Sequence, residues 1–282
     1  MSRLDLHLHT THSDGSFTPT EVINLAWKAG VTALAITDHD ITTGILEAAE
    51  AGQEHGIDVI PGIEISSTLG SSELHILGYF LDYQDIRLNE QLTLLRESRH
   101  RRNPKIIERL QAAGIDITYE EVRALAGTES VGRPHIARVL MEKGVVATAK
   151  EAFDLWLADG RPAYVPRELP APSEAIQWIK AAKGLPVLAH PTWVKPTEGT
   201  LTDLVRRLKA DGLAGVEVHY STHTPRQTRE YLALAKQLDL LVTGGSDFHG
   251  ITKPDIDVGI GKGSLHVPDS LLDKLKSAAA RH

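Results

Sequence analysis

The chain has 282 residues, 41% of them hydrophobic and 24% charged, which suits one large soluble barrel or a barrel carrying a small extra domain. A net charge of −7 argues against general adhesion to nucleic acid, and no stretch reaches the apolar length of a membrane span. Having no cysteine excludes disulfides and thiolate ligands, so any metal must be held by nitrogen and oxygen.

The chain enters a strand at once, Leu4–His9, from which we expect no signal peptide and a cytoplasmic location. Alternation along that strand puts Asp5, His7 and His9 on one face and Leu4, Leu6 and Leu8 on the other. Two imidazoles two residues apart at a strand's end can hold one cation. Thr18-Pro19-Thr20-Glu21 then offers an N-cap, a proline at the first helical position and a carboxylate three residues past the cap. The strand Ala33–Thr37 runs into Asp38-His39-Asp40, the strand Asp58–Ile63 runs into Glu64, and the strand Leu74–Tyr79 carries His75 near its start.

From about Leu88 to about Tyr164 helical periodicity continues without a clear strand. This stretch reads as a helical insert over 88–164 that covers the active site and divides a barrel into 1–87 and 165–282. Residues 96 to 109 hold six Lys or Arg against Glu97 and Glu108, a basic spot in an acidic chain. Arg99, Arg102 and Asn103 fall at i, i+3 and i+4, hence on one helical face. A solvated face is the ordinary fate of such a run. Beside a metal site a fork of guanidinium donors can instead clamp phosphate. Val131-Gly132-Arg133-Pro134-His135 supplies a second basic point, or simply a turn before a capped helix.

Three more strands follow: Pro186–His190, Gly215–His219 and Leu240–Thr243. The first ends on His190-Pro191, the second precedes Ser221-Thr222-His223 and the helix start Thr224-Pro225-Arg226-Gln227, and the third leads to Ser246-Asp247-Phe248-His249. Strand and helix in alternation indicate an α/β fold with a parallel sheet. A lone strand histidine is ordinarily a packed structural residue. Ligands that end separate parallel strands converge on one face, which favours a closed barrel, with an open doubly wound sheet as the alternative.

His7-Leu8-His9, His12-Ser13-Asp14-Gly15, Thr37-Asp38-His39, Pro61-Gly62-Ile63-Glu64-Ile65-Ser66, His190-Pro191 and Gly245-Ser246-Asp247-Phe248-His249 resemble, end to end, the successive motifs of the PHP (polymerase and histidinol phosphatase) family of metal-dependent phosphoesterases. The stretches around Arg99, Arg102, Asn103, Arg133-Pro134-His135 and Ser221-Thr222-His223 resemble its subgroup of 3′,5′-nucleoside bisphosphate phosphatases and 5′-to-3′ exoribonucleases. The resemblance implies a distorted (β/α)7 barrel with two or three divalent ions, manganese first, with iron or zinc as alternatives. It implies that His7, His9, Glu64 and Asp247 hold one ion, that Asp14, His39 and His249 hold a second, and that His75 and His190, with Glu64 bridging, hold a third. Asp14 stands where other branches carry histidine, in keeping with the nucleotide subgroup. It also implies that Arg99, Arg102, Asn103, Arg133 and His135 bind substrate.

Hard oxygen donors with neutral imidazoles suit such ions, and a carboxylate can bridge two of them. Paired ions lower the pKa of a water and shield a phosphate's charge, so the expected reaction is hydrolysis of a phosphate ester by metal-activated hydroxide. The leaving oxygen needs a proton, for which His223 is the candidate general acid; an exposed loop histidine is the alternative reading. The other histidines receive no role. The expected substrate is a 3′,5′-bisphosphonucleoside or the 5′ end of a short RNA. No membrane contact and no obligate protein partner are expected. The rivals are a histidinol-phosphate or other small-molecule phosphatase, an amidohydrolase, and a non-catalytic accessory module. A neutral amide gives the arginines nothing to bind, and a module would carry eroded ligands.

Overall fold

The computed structural model describes residues 3–70, 72–127 and 130–281. Seven strands, β1 (Arg3–Leu8), β2 (Val31–Ile36), β3 (Asp58–Leu69), β4 (Ser72–Tyr79), β5 (Leu185–Leu188), β6 (Gly215–Tyr220) and β7 (Leu241–Gly245), form one sheet in chain order. The expected strands all appear, and helices begin where the capping signals placed them. Thr18 caps α1 (Pro19–Lys28) in a capping box with Glu21. Thr224 caps α9 (Pro225–Gln237) with Gln227, each with proline in the first turn.

The sheet closes on itself at its upper rim. The Asp247 amide donates to the His7 carbonyl at 2.8 Å and the His9 amide to the Phe248 carbonyl at 3.0 Å. Asp5 bolts the same seam lower down, accepting from the Ser246 and Gly259 amides, each at 2.8 Å. The result is the distorted (β/α)7 barrel that the motifs implied.

Two features depart from a uniformly parallel, evenly alternating barrel. First, β4 is antiparallel to both neighbours. β3 ends at Leu69 and β4 begins at Ser72, which leaves no room for the crossover a parallel pair requires. His75 therefore sits near the amino end of its strand, opposite Ser66, yet at the same rim as the other strands' carboxyl ends.

Second, β1 carries an extra residue between Asp5 and Leu8 relative to β2. Such a bulge flips the side-chain phase. Leu4 and Leu6 consequently join Ala33, Ala35, Leu77 and Val187 in the barrel interior, while His7 and His9 face inward above them. Asp5 serves the seam and lies outside the histidine clusters. α10 (Ser270–Ala279) closes the lower end of this interior with Leu271 and Leu275.

The region after β4 is helical: α3 (Ile86–Ala112), α4 (Tyr119–Ala126), α5 (Arg133–Glu142), the short α6 (Ala149–Ala152) and a π-helical turn, Phe153–Leu157. α3 spans two cores. Its first half packs Leu88, Leu92 and Leu95 on the barrel's outer cluster. Its second half packs Ile106, Ile107 and Leu110 into a separate cluster drawn from residues 106–165. Each fully buried leucine or isoleucine contributes roughly 1.5–3 kcal/mol, so both ends of α3 are anchored independently. Between them lie Ser98, Arg99, Arg102 and Asn103, all buried. Among the described residues no helix is long and apolar enough to cross a membrane.

The seam between β7 and β1 depends on the absence of a side chain. A Cβ on Gly245 would stand 2.4 Å from both the backbone nitrogen and the Cβ of His7. Gly245→Ala should therefore lower stability by about 1–3 kcal/mol, the ordinary penalty for overpacking, as read from denaturant titration. An unchanged midpoint would mean that the strands separate easily and that the seam does not hold the rim in place.

Candidate metal centre

Five histidines from four strands meet one carboxylate. Glu64, buried in β3, lies 3.2 Å from His7 Nε2, 3.2 Å from His9 Nε2, 3.1 Å from His39 Nδ1, 2.8 Å from His75 Nδ1 and 2.9 Å from His190 Nε2. Asp247 Oδ1 lies 3.5 Å from His7, 3.3 Å from His9 and 3.4 Å from His249. Asp14 lies 3.2 Å from His249 and 3.8 Å from both His9 and His39. Three groups have donor atoms close enough to share an ion: His7, His9, Glu64 and Asp247; His9, Asp14, His39 and His249; and His39, Glu64 and His75. All nine candidate ligands are thus brought together. His9 and His39 stand between groups, and His190 joins through Glu64.

The backbone around the cluster is specialised. Asp40, His190 and Asp247 hold positive φ of 57°, 26° and 57°, a region that non-glycine residues occupy at a cost and that recurs at functional sites. Asp38 accepts from the Thr10 amide, the Thr10 hydroxyl and the Ser13 hydroxyl, which fixes the loop presenting Asp14.

The donor chemistry fits divalent ions. Burial, with further repulsion from His9 and His75 and only partial relief from Glu64 and Asp14, pushes His39 down to about 3, so its ring is neutral and offers a lone pair. Burial also lowers His249. Burial would lower His9 and His75 as well, but the adjacent carboxylates of Asp247 and Glu64 raise His9 to about 9, and those of Glu64 and Glu73 raise His75 to about 10. His9 Nε2, His39 Nδ1, His190 Nδ1 and Asp14 Oδ1 are buried without a hydrogen-bond partner. Buried polar atoms are rarely left so unless something else engages them. Neutral imidazoles and carboxylates without thiolates suit manganese, iron or zinc.

The arginine pocket adjoins this cluster, one imidazole away. His75 lies 3.7 Å from Glu73, which accepts from Arg133 at 2.6 Å and lies 3.7 Å from Arg167. Arg99 donates to Asp40 at 2.8 and 3.2 Å and to the Ser66 hydroxyl at 3.1 Å. Arg167 also reaches Asp40, at 3.4 Å, and its Nε is buried without a partner. Arg102 meets no carboxylate among the described residues; it donates to the Asn103 side-chain oxygen at 3.0 and 3.3 Å. Asn103 in turn donates to the Val131 carbonyl at 2.8 Å, so it holds Arg102 in place. His135 Nδ1 accepts from the Gly132 amide at 3.0 Å. Burial, partly opposed by Asp14, keeps His135 down to about 4, hence neutral with its hydrogen on Nε2.

Among the described residues, four guanidinium groups gather around two carboxylates, Asp40 and Glu73. Burial first, and then Arg133, Arg167 and Arg99, push Arg102 down to about 8. Guanidinium groups keep their proton in proteins, so this displacement expresses electrostatic strain that an incoming anion would relieve.

His223 stands in none of the three donor groups. Its Nδ1 donates to the Val218 carbonyl at 2.8 Å, its ring packs against Tyr220 and Tyr231, and burial lowers its pKa. Its Nε2 is buried without a hydrogen-bond partner and both Glu217 and His190 act on the ring electrostatically, so Nε2 is the atom that would take and give a proton in the general-acid role expected from its position after β6.

Other residues came into view only with the fold. Arg167 follows a proline in a stretch without periodicity, and nothing in its spacing marks it. Glu217 contacts His7 and the His190 amide. Its signal was available: a carboxylate midway along an apolar strand. Tyr220 and Lys253 both donate to Asp247 Oδ2, at 2.7 and 2.5 Å.

The PHP domain pattern matches residues 5–158. The chain is 34% identical to a 3′,5′-nucleoside bisphosphate phosphatase of Chromobacterium violaceum, over 92% of this chain and 91% of that one. It is 37% identical to a 5′-3′ exoribonuclease of Haemophilus influenzae, over 88% and 90%. A solved structure from Chromobacterium violaceum, described as an amidohydrolase with bound sulfate and no metal, superposes with a TM-score of 0.89 at 32% identity, covering 98% of this chain and 96% of that one. A metal-dependent phosphoesterase from Bifidobacterium adolescentis gives 0.88 at 33%, with the same coverage.

The unbalanced charge has a measurable consequence. Arg102→Met keeps an unbranched apolar stem and removes the charge with its repulsion, so at low salt without anions it should melt higher than the unaltered chain. Added sulfate should raise the melting temperature of the unaltered chain and move the variant much less, because a bound anion stabilises only the state that binds it. Equal responses would mean that the pocket does not collect anions.

Proposed function

The chain belongs to the PHP domain family as a phosphoric ester hydrolase, and we propose that it removes a phosphate from a 3′,5′-bisphosphonucleoside or releases nucleotides from the 5′ end of a short RNA. One observation carries the substrate class: among the described residues, four guanidinium groups gather around two carboxylates beside the histidine–carboxylate cluster. A monophosphate held at the cluster leaves that pocket empty. A substrate with a second phosphate fills it, and the charges then balance.

In this reading His7, His9, Glu64 and Asp247 hold one divalent ion, Asp14, His39 and His249 a second, and His75 and His190, with Glu64, a third. Manganese is the first choice, with iron or zinc as alternatives. Bound there, such ions supply an acidified water and shield the phosphate's charge. The rest falls to the chain. Arg102, Arg133 and Arg167 bind the phosphate that is not cleaved, while Asp40 and Ser66 fix Arg99 at the pocket's wall. His135 contributes a neutral Nε2 donor. Binding energy gathered in the pocket orients the ester at the cluster, and it raises the rate only for substrates long enough to reach both places. Residues 88–164 act as the unit that covers the barrel mouth and forms most of the pocket. A cytoplasmic location, where nucleotides and RNA ends are met, completes the reading.

A substrate panel tests it. Chelator-treated protein, reconstituted with manganese, should show a much higher kcat/KM on a 3′,5′-bisphosphonucleoside or a 5′-phosphorylated oligoribonucleotide than on histidinol phosphate. Arg102→Ala should lower kcat/KM on the doubly phosphorylated substrates roughly ten- to a hundredfold, since one charge-assisted contact is worth about 1.5–3 kcal/mol. It should leave a simple aryl phosphate nearly unchanged. His7→Ala should lose activity on every substrate by orders of magnitude. Histidinol phosphate as the best substrate, with Arg102→Ala silent, would contradict the nucleotide reading.

A further inference from the structure

Every strand except β6 carries or leads into a candidate ligand of the cluster, and β6 instead buries a glutamate. Glu217 is wholly enclosed. One oxygen lies 2.9 Å from His7 Nδ1, and the other accepts from the His190 amide at 2.7 Å. An isolated carboxylate in a barrel interior is strongly disfavoured, so both bonds need to be made well. We propose that Glu217 is a positioning residue that orients His7 and His190 together toward Glu64. This rests on reading the cluster as a metal centre.

The argument at His7 is one of hydrogen bookkeeping. A carboxylate only accepts, so the ring nitrogen facing it must carry the hydrogen. Nδ1 faces Glu217; Nε2 faces Glu64 at 3.2 Å and Asp247 at 3.5 Å. Glu64 and Asp247 also only accept, so with a cation between Nε2 and those two, as proposed, the ring's one hydrogen would stay on Nδ1 against Glu217 and leave Nε2 as the lone-pair atom. Carboxylates behind ligating imidazoles act in this way generally.

At His190 the effect is on the backbone. That residue holds φ 26°, between β5 and Pro191, a conformation that persists only where its surroundings impose it. The charge-assisted bond from its amide to Glu217 is such an imposition. It leaves the His190 side chain with Nε2 2.9 Å from Glu64. One glutamate therefore sets two imidazoles whose proposed ions differ.

The local fold shows why Glu217 points inward. Val216 and Val218 join the outer core, and the pairing of β6 with β7 is irregular between Glu217 and His219. That irregularity changes the phase, so that Tyr220 also turns in and donates to Asp247 at 2.7 Å. β6 supports ligands from β1, β5 and β7 without contributing one.

Glu217→Gln is the discriminating variant because it keeps shape and removes the second acceptor. If its oxygen meets the His190 amide, its NH2 faces His7 Nδ1 and forces the ring's hydrogen onto Nε2, which can then no longer ligate. If its oxygen meets His7, its NH2 opposes the His190 amide. Either way a proposed ligand is lost. Chelator-stripped protein titrated with zinc by calorimetry should show affinity about ten- to a hundredfold weaker in Glu217→Gln than in the unaltered chain, while stripped samples of both unfold cooperatively. In zinc-loaded unaltered protein, nitrogen-15 NMR should find the His7 hydrogen on Nδ1. Equal zinc affinity in variant and unaltered chain, or a bare His7 Nδ1, overturns the proposal. If Glu217→Gln does not fold, the NMR measurement on the unaltered protein still decides. An unaltered chain that takes up no zinc or manganese overturns the metal-centre reading as well, whereas normal uptake beside an equally tight variant overturns this inference alone.

Discussion

A single buried carboxylate organises the upper half of this barrel. Glu64 has five imidazole nitrogens between 2.8 and 3.2 Å away, brought by four strands. Its own backbone is tied on both sides, with the Asp40 amide donating to the Glu64 carbonyl at 3.0 Å and the Glu64 amide to the Asp38 carbonyl at 3.3 Å. One protonated imidazole would neutralise it. Five cannot all carry protons at such distances, because each charge lowers the next one's affinity for a proton, and His39 shows the result. A site in which so many imidazole nitrogens crowd shared carboxylates is satisfied by cations. The rim geometry, the seam at Gly245 and the strained turns at Asp40, His190 and Asp247 all serve to keep those groups convergent.

The second organising feature is the place where α3 passes from one hydrophobic core to the other. Leu95 belongs to the barrel's outer cluster and Ile106 to the insert's own, so the intervening turns face neither. Elsewhere in a helix such a gap would fill with small or exposed residues. Here it buries Arg99, Arg102 and Asn103 against Asp40, Ser66 and Val131. The gap thereby becomes a pocket walled by insert on one side and by strand ends on the other. Its arginines border the cluster through His75 and Glu73.

Much of this was legible in the sequence, for reasons that differ by residue. The seven strands were marked by apolar runs, and the candidate ligands by their position at the ends of those runs, since a strand end fixes direction as well as place. Arg99, Arg102 and Asn103 announced themselves through helical spacing. Orientation was harder to read. β4 runs antiparallel because two residues separate it from β3, and the bulge in β1 moved Asp5 from the expected ligand face to the barrel seam. Partnerships across the fold were not legible at all. Nothing near Asp40 or Glu73 in the chain says that they balance Arg99, Arg133 and Arg167, and Glu217 lies 210 positions from His7. Such pairs exist only once the barrel closes, and they decide which charges remain free to act.

The central claim is that Glu64 and its imidazoles hold divalent ions in common. Anomalous diffraction from manganese-soaked crystals, recorded on both sides of the manganese absorption edge, tests it most directly. The account predicts at least two anomalous peaks within bonding distance of Glu64, His7, His9, Asp14, His39, Asp247 and His249, with Glu64 common to more than one. An ordered map with no peak there, and Glu64 still in direct contact with its five histidines, would contradict it.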